Sequence, residues 1–118
     1  QKSLIKIGID AFLTSGDATV AQAEPSISKY MLKNKIPYFT NTPGDVKIGA
    51  LFSTGADYYE VGTKAGMIFE SIIGGKNIAV MPIQLFAPDI YNLNLNTAKS
   101  LGIKLPENLL TNAKQVIR

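Results

Sequence analysis

Alternating strand and helix signals predict an α/β fold in which helices pack on a largely parallel β-sheet. Short apolar runs that end in turn residues are followed by segments whose apolar residues recur at helical spacing. The predicted order is β-α-β-β-α-β-α-α, and neither a repeat nor a low-complexity stretch interrupts it. Such alternation is typical of α/β layer structures, because each crossover helix covers one face of the sheet.

The chain begins with one predicted strand and one predicted helix. Residues 9–14 form an apolar run that ends at Ser15-Gly16-Asp17, which indicates a buried strand followed by a turn. Residues 18–33 carry apolar side chains at helical spacing, and Asp17 stands at the N-cap position. Pro25 lies within this helix, and we expect it to kink the helix or to move the helix start next to it.

The middle of the chain predicts two more strands and the clearest helix. Residues 36–40 form a short apolar run, and a cluster of turn residues follows at 41–45. Residues 48–56 indicate a third strand, after which Asp57 opens a helix that Gly74-Gly75 ends. The apolar face of this helix steps by three and four residues through Tyr58, Val61, Ala65, Ile68 and Ile72.

The end of the chain has weaker signals. Residues 81–93 alternate loosely and are interrupted by prolines such as Pro88, which favours extended, edge-like strands. Residues 97–102 predict a short helix. Pro106 suits the first position of a final helix, whose apolar spacing continues to Ile117.

Composition excludes several classes of function. The 118 residues suit one domain, and 46% hydrophobic with 18% charged residues is the balance of a folded protein. No cysteine or histidine is present, which excludes disulfides, thiol catalysis, Ser-His-Asp sites and ordinary zinc sites. The net charge of +3 is spread along the chain, so no nucleic-acid or polybasic membrane site is indicated. No apolar run approaches the roughly 20 residues of a membrane-spanning helix.

Three predicted strands end in polar loops, and the ends of such strands carry the ligand in open α/β sheets. The loops are residues 14–17, 40–45 and 55–58, and two of them lead into helices, whose N-termini favour anions such as a carboxylate. Asp17 and Asp57 lie in the same loops, where a carboxylate can pair with a ligand ammonium. Together these groups suit a zwitterion such as an amino acid.

Each of these residues also has a purely structural interpretation. Asp17 and Asp57 stand at N-cap positions, where capping alone justifies an aspartate. Asn41 is as often a turn former as a ligand donor. Tyr58 begins the apolar face of its helix, which favours core packing, whereas Tyr59 is left undecided. From the residues alone, the prediction ends at an α/β domain with a candidate small-molecule cleft.

Ordered segments over nearly the whole chain carry a family resemblance. They are Ile9-Asp10-Ala11-Phe12, Asp17-Ala18-Thr19-Val20, Lys35-Ile36-Pro37-Tyr38-Phe39, Val46-Lys47-Ile48-Gly49-Ala50-Leu51, Gly55-Ala56-Asp57-Tyr58-Tyr59-Glu60-Val61-Gly62, Asn94-Leu95-Asn96-Thr97-Ala98-Lys99-Ser100-Leu101-Gly102-Ile103 and Pro106-Glu107-Asn108-Leu109-Leu110. Each is a weak signal by itself, but their order is specific. In them the sequence resembles the substrate-binding proteins of a bacterial ABC-transporter family whose relatives include tryptophan- and tyrosine-type binders.

The resemblance implies the type I periplasmic-binding fold, in which two α/β lobes joined by three crossing strands close around a ligand. Family members run to roughly twice this length or more, so residues 1–118 resemble the C-terminal part of one, a fragment of the whole. Residues 1–56 and 81–118 would belong mainly to the C-terminal lobe, a three-layer parallel-sheet lobe. The helix within residues 57–75 would pack on the N-terminal lobe. It would have no partner within the chain, so we expect it to meet an absent segment or a second copy in a domain-swapped homodimer.

The resemblance also implies ligand contacts in the three loops. Two residues in each loop are involved, namely Ser15 and Asp17, Asn41 and Thr42, and Asp57 and Tyr58. The Asp57 carboxylate would receive the ligand amine, and we predict that Asp57→Ala weakens binding far more than Asp45→Ala, taken as an equally exposed comparison. Ala18 stands where the family usually has an asparagine after Asp17, which leaves the identity of the ligand open.

The prediction that results is a non-catalytic solute-binding component of a bacterial ABC importer. It would bind an amino acid, with aromatic ones among the candidates, by hinge closure. ABC permease subunits would be its membrane partners, and no cofactor, metal or nucleic acid is implied. We expect it at the periplasmic or extracellular face of the cell membrane, secreted or lipid-anchored in its full-length form. The sequence does not begin with Met, which we interpret as a processed form or a piece of a longer protein.

Two other functions fit the same residues less well. A ligand-sensing regulatory domain of the same fold is the alternative, because fold by itself does not separate a receptor from a sensor. An α/β enzyme is disfavoured, since the sequence contains neither a Gly-x-Ser-x-Gly turn nor a phosphate-binding loop.

Overall fold

One five-stranded mixed sheet organises the computed structural model, which describes residues 2–85 and 90–118. The strands lie side by side in chain order: β1 (Phe12–Thr14), β2 (Tyr38–Thr40), β3 (Phe52–Gly55), β4 (Ile90–Asn94) and β5 (Gln115–Ile117). β1, β2 and β3 run parallel, β4 runs antiparallel to β3, and β5 is parallel to β4. The α/β class and the largely parallel sheet are confirmed, since three of the four strand pairings are parallel and only that of β4 with β3 is antiparallel. The chain leaves the sheet at Gly55 and re-enters at Ile90, which is paired with Gly55, so β4 has to run the other way.

Five α-helices and two short 3₁₀ helices accompany the sheet within the described ranges. The α-helices are α1 (Lys2–Ile7), α2 (Ala18–Lys33), α3 (Tyr58–Ile73), α4 (Leu95–Leu101) and α5 (Glu107–Asn112), and the 3₁₀ helices are Pro43–Ile48 and Ile78–Val80. No helix in residues 2–85 or 90–118 combines the length and the apolar character that crossing a membrane requires.

Helix α2 forms where the sequence predicts it, and Pro25 does not move its start. Asp17 caps the first turn, and the helix runs from Ala18 through Pro25 to Lys33. A proline inside a helix leaves the carbonyl four residues earlier without its donor. That carbonyl belongs to Ala21, which is exposed like Pro25 itself, so water can supply the missing hydrogen bond.

The apolar core lies between α2 and the sheet. Its buried members are Ile27, Met31, Ile36, Tyr38 and Ala50. Met31 and Ala50 are fully shielded from solvent, and Tyr38 keeps only 1% of its surface exposed. Burying each large apolar side chain stabilises the fold by about 1.5–3 kcal/mol. The core therefore holds α2 against the body of the sheet.

Several local predictions are wrong at element boundaries. The turn expected at residues 41–45 is the start of a 3₁₀ helix, so the third strand begins only at Phe52. Residues 81–85 contain no regular structure, and the break expected at Pro88 lies outside the described residues. Pro106 is the N-cap of α5 and not its first residue, and the extended backbone of Ala113 ends that helix.

Helix α3 projects from the body of the molecule. None of its residues is buried, and it exposes 61–75% of Tyr58, Met67, Phe69 and Ile73. The radius of gyration is 18.1 Å, whereas a compact domain of this length has about 13.5 Å. Core packing was the favoured interpretation of Tyr58, and it is wrong for this chain, because 75% of this side chain is exposed. That α3 packs on a segment outside this chain or on a second copy stays a prediction.

Candidate functional site

The loops after β1, β2 and β3 meet at one edge of the sheet. A Cβ atom placed on Gly16 would lie 3.3 Å from Asn41 Oδ1, so the first and second loops touch. A Cβ on Gly55 would lie 2.8 Å from Pro43 Cγ and 2.9 Å from the carbonyl oxygen of Asn41, so the second and third loops are in closer contact still. Only glycine fits at position 55 without moving Pro43. The three strand-end loops that the sequence predicts therefore lie together.

In the first loop, Asp17 is an N-cap. Its Oδ1 accepts hydrogen bonds from the backbone N–H groups of Thr19 and Val20 at 2.8 and 3.0 Å. These bonds satisfy two amides that the first turn of α2 leaves without a partner. Ser15 and Asp17 are both exposed. The structural interpretation of Asp17 is therefore confirmed, and its second carboxylate oxygen faces no protein donor in the described contacts.

The second loop is shaped by a side chain that precedes it. The Thr42 N–H donates to Thr40 Oγ1 at 3.1 Å, and the Thr42 carbonyl accepts from the Asp45 N–H at 3.1 Å. Thr42 is thereby fixed in an extended conformation at the N-terminus of the 3₁₀ helix. Asn41 is exposed and lines a cavity of about 400 Å³ on the apolar face of the sheet, beside Leu13.

In the third loop, both carboxylate oxygens of Asp57 are engaged. Oδ1 accepts from the Tyr59 N–H at 3.0 Å and caps α3, while Oδ2 forms an ion pair with the Lys114 ammonium. The hydrogen bond from Lys114 is the main reason that the pKa of Asp57 lies below its usual value. Asp57 is therefore a carboxylate at neutral pH.

Asp57 and Tyr58 line an open cleft of about 490 Å³ between the start of α3 and the sheet. Its lining residues are Pro43, Gly44, Lys47, Ala56, Asp57, Tyr58, Tyr59, Ile90, Asn92, Lys114 and Gln115. Ser15, Asp17, Asn41 and Thr42 are not among them, although the Thr42 loop borders the cleft through Pro43. No cluster of three or more Asp or Glu side chains suited to a metal ion occurs in residues 2–85 and 90–118. The six predicted contacts thus lie along one edge, but only two of them face this cleft.

Two cleft residues have no signal in the sequence. Asn92 is buried, and its side-chain amide donates to the Pro43 carbonyl at 2.8 Å, which ties β4 to the second loop. Lys114 precedes β5 and reaches Asp57 across 57 positions of the sequence. Both contacts depend on the pairing of β3, β4 and β5, so no local pattern could have indicated them.

A buried acidic pair lies behind the second loop. Glu24 is 3% exposed and Asp45 is 7% exposed, and Asp45 Oδ2 accepts from Thr40 Oγ1 at 2.9 Å. Asp45 is therefore not the exposed comparison for Asp57 that the turn-like sequence suggested. Asp10 is exposed and precedes β1, at the other end of this strand from the first loop, so it serves that purpose instead.

Comparisons with known proteins agree with the fold and with the ordered motifs. The family model described as ABC transporter substrate binding protein matches residues 2–117. A tyrosine-binding protein of Clostridioides difficile (strain R20291) is 30% identical over 96 residues, which are 81% of this chain and 28% of that protein.

Solved structures show the same relationship. The ABC domain in complex with L-Trp from Streptococcus pneumonia has a TM-score of 0.81 and 27% identity, over 96% of this chain and 38% of that one. A ligand-free, open substrate-binding protein with adhesive properties from Clostridium difficile has a TM-score of 0.75 and 30% identity, over 98% of this chain and 38% of that one. A conserved domain protein of Vibrio cholerae has a TM-score of 0.76 and 29% identity, over 91% of this chain and 36% of that one.

The chain spans 28% of the length of the curated relative and 36–38% of the three solved structures. Its resemblance to tryptophan- and tyrosine-type binders is confirmed by the family model and by these relatives. The chain belongs to the ABC transporter substrate-binding protein family.

Proposed function

We propose that this chain is part of the non-catalytic solute-binding component of an ABC importer and that its ligand is an amino acid. Family membership supports the receptor role. One relative is named a tyrosine-binding protein and another was solved with L-Trp, which supports an aromatic amino acid. The observation that carries the proposal is the position of Asp57, a carboxylate at the junction of the strand-end loops and the cleft.

Each side of the cleft has chemistry for one part of such a ligand. The Asp57 carboxylate attracts the ligand ammonium, because a charge-assisted hydrogen bond is about twice as strong as a neutral one. Tyr58 and Tyr59 expose 75% and 86% of their surfaces and offer aromatic faces beside it. Ser15, Asp17, Asn41 and Thr42 extend the contact surface along the same edge of the sheet.

We assign residues 1–56 and 81–118 mainly to the C-terminal lobe and the helix within 57–75 to the N-terminal lobe. The core of Ile27, Met31 and Tyr38 supports the first assignment, because it joins α2 to the sheet without α3. The absence of any buried residue in α3 supports the second. Ligand binding would then close the two lobes by rotation near Asp57, where the chain leaves the sheet.

The location and partners follow from the receptor role. We place the protein on the periplasmic or extracellular face of the cell membrane, secreted or lipid-anchored in its full-length form. ABC permease subunits would receive the closed, ligand-loaded state, since only a difference in affinity between the open and closed forms can signal occupancy.

The test is calorimetric titration of L-Trp and L-Tyr into the full-length protein that contains this chain. Asp57→Asn keeps an oxygen that can cap α3 and removes only the charge. We expect it to weaken binding by about tenfold or more, the loss typical of one charged hydrogen bond.

Asp10→Asn removes an exposed carboxylate away from the cleft and serves as the matched control. We expect this variant to bind L-Trp and L-Tyr with the affinity of the wild type. Equal losses in the two variants, or no binding of either amino acid to the wild type, would overturn the proposal.

A further inference from the structure

The Lys114 ammonium already pairs with the Asp57 carboxylate, the group that the proposed function gives to the ligand amine. Asp57 Oδ1 is used by the N-cap of α3, and Oδ2 is paired with the Lys114 ammonium. A ligand ammonium competes with the Lys114 ammonium for this carboxylate, because Lys114 already neutralises much of the Asp57 charge. The cap bond comes from the backbone of α3 itself, so Lys114 is the partner that can move.

We infer that Lys114 determines which ligand charges the cleft accepts. Its ammonium leaves Asp57 when the ligand amine binds this carboxylate, and it pairs instead with the ligand carboxylate. This inference rests on the proposed function and names the ligand class more narrowly. It predicts that the site selects molecules carrying both an ammonium and a carboxylate, such as α-amino acids, over molecules carrying only one of the two.

The geometry of Lys114 allows this exchange. Its backbone N–H donates to the Tyr91 carbonyl at 2.9 Å, which fixes the start of the side chain beside β4. The side chain is 50% exposed, and a lysine carries its ammonium on a flexible four-carbon stem. The anchor therefore stays in place while the ammonium can move within the cleft that both residues line.

The balance of charges in the cleft makes a lone amine unfavourable. One carboxylate, Asp57, faces two ammonium groups, Lys47 and Lys114, among the charged residues that line it. A ligand with only an amine would displace Lys114 from Asp57, leave the Lys114 ammonium without a partner and add a further positive charge to the cleft. A ligand with only a carboxylate would leave Asp57 and Lys114 paired to each other. A zwitterion replaces the broken pair with two new ones.

The experiment compares L-Trp with tryptamine, its decarboxylated amine, by calorimetry on the full-length protein and its Lys114→Gln variant. We expect Lys114→Gln to weaken L-Trp binding by about tenfold, because the ligand carboxylate loses its partner. Tryptamine should bind the same variant several-fold more tightly than it binds the wild type, because its competitor for Asp57 is gone. Opposite shifts for two ligands cannot arise from a general loss of folding.

Two further variants complete the design. Lys114→Arg keeps the positive charge and is expected to keep the preference for L-Trp, whereas Lys29→Gln alters an exposed lysine of α2 and should change neither affinity. Parallel shifts for L-Trp and tryptamine, or no shift in Lys114→Gln, would overturn the inference while leaving the receptor role intact. A wild type that binds no amino acid would overturn the receptor role first and the inference with it.

Discussion

Glu24 holds a carboxyl group in the interior of the molecule. It is 3% exposed, and its Oε1 has no hydrogen-bond partner among residues 2–85 and 90–118. Asp45 from the 3₁₀ helix is the ionisable group that acts on it, and burial together with the charge of Glu24 raises the pKa of Tyr38 in β2. Burial, followed by the hydrogen bond with Asp45 and its negative charge, raises the pKa of Glu24 to about 7. The group is therefore neutral in mild acid and charged above neutrality.

This pKa predicts how stability depends on pH. The folded state holds a proton on Glu24 that the unfolded chain, with an ordinary pKa of 4.5, has already lost. The stabilisation from this proton is complete below pH 4.5 and declines as the pH rises to about 7. We expect Glu24→Gln to remove this decline, which amounts to about 1–3 kcal/mol.

Urea unfolding at a series of pH values from 4.5 to 8 measures the effect. Glu70→Gln is the matched control, because Glu70 is exposed on α3 and should keep the pH dependence of the wild type. Identical pH profiles for the wild type and Glu24→Gln would contradict the prediction.

Asp17 and Asp57 cap two helices of equal length that differ in how they pack. Both helices have 16 residues, and each aspartate accepts a backbone N–H bond in the first turn. α2 contributes Ile27 and Met31 to the core, whereas α3 has no buried residue. The cap at Asp17 should therefore stabilise the packed unit of α2 and the sheet, whereas the cap at Asp57 should not.

We predict that Asp17→Ala lowers the free energy of unfolding by about 1 kcal/mol, the usual loss for an N-cap. Asp57→Ala should leave the main transition nearly unchanged, because α3 is not part of the packed body. Urea unfolding followed by the fluorescence of the core tyrosine Tyr38 and its neighbours distinguishes the two. Equal losses in both variants would mean that α3 unfolds together with the sheet.

Local signals explain which elements the sequence could predict. α2 and α3 have an aspartate cap, apolar residues at helical spacing and, in α3, a glycine pair at the end, so their bounds follow from neighbouring residues. β5 has only three residues and exists because Val116 pairs with Leu93 across the sheet. Its residues continue the helical spacing of α5, so the sequence by itself predicts them as the end of that helix.

The same distinction applies to the candidate site. The strand-end loops and the capping aspartates lie in short, continuous stretches and could be predicted. The Asp57–Lys114 pair and the buried Glu24–Asp45 pair join residues far apart in the chain, and only the fold brings them together. The turn-like pattern around Asp45 predicts an exposed side chain, but Asp45 is buried because the fold places Glu24 and Thr40 beside it.

The whole molecule is elongated, with principal extents of 58, 33 and 18 Å. The apolar side chains that α3 exposes would be covered by the rest of the receptor if the proposed lobe assignment is correct. Without that cover, an apolar helix face favours association, because burying it removes its surface from water. We therefore expect the isolated chain to self-associate through α3, in the manner of a domain-swapped homodimer.

Native mass spectrometry of the isolated chain tests this expectation. We predict dimers or larger species for the wild type and a shift toward monomer when Phe69, 64% exposed, is replaced in Phe69→Ser. Phe39→Ser, which alters a residue of β2 that packs against Phe52 and lies outside α3, should not shift the distribution in this way. A monodisperse monomer with cooperative melting would show that the exposed apolar side chains of α3 do not drive self-association.

The pairing of Gly55 with Ile90 has a practical consequence for engineering. Because the two ends of the intervening segment are neighbours on one ladder, that segment is topologically an insertion into a hairpin. Joining β3 directly to β4 through a two-residue Asn-Gly turn would suit the antiparallel strands. The product would be a minimal five-stranded module, onto which segments from other members of the family could be grafted at a single pair of splice points.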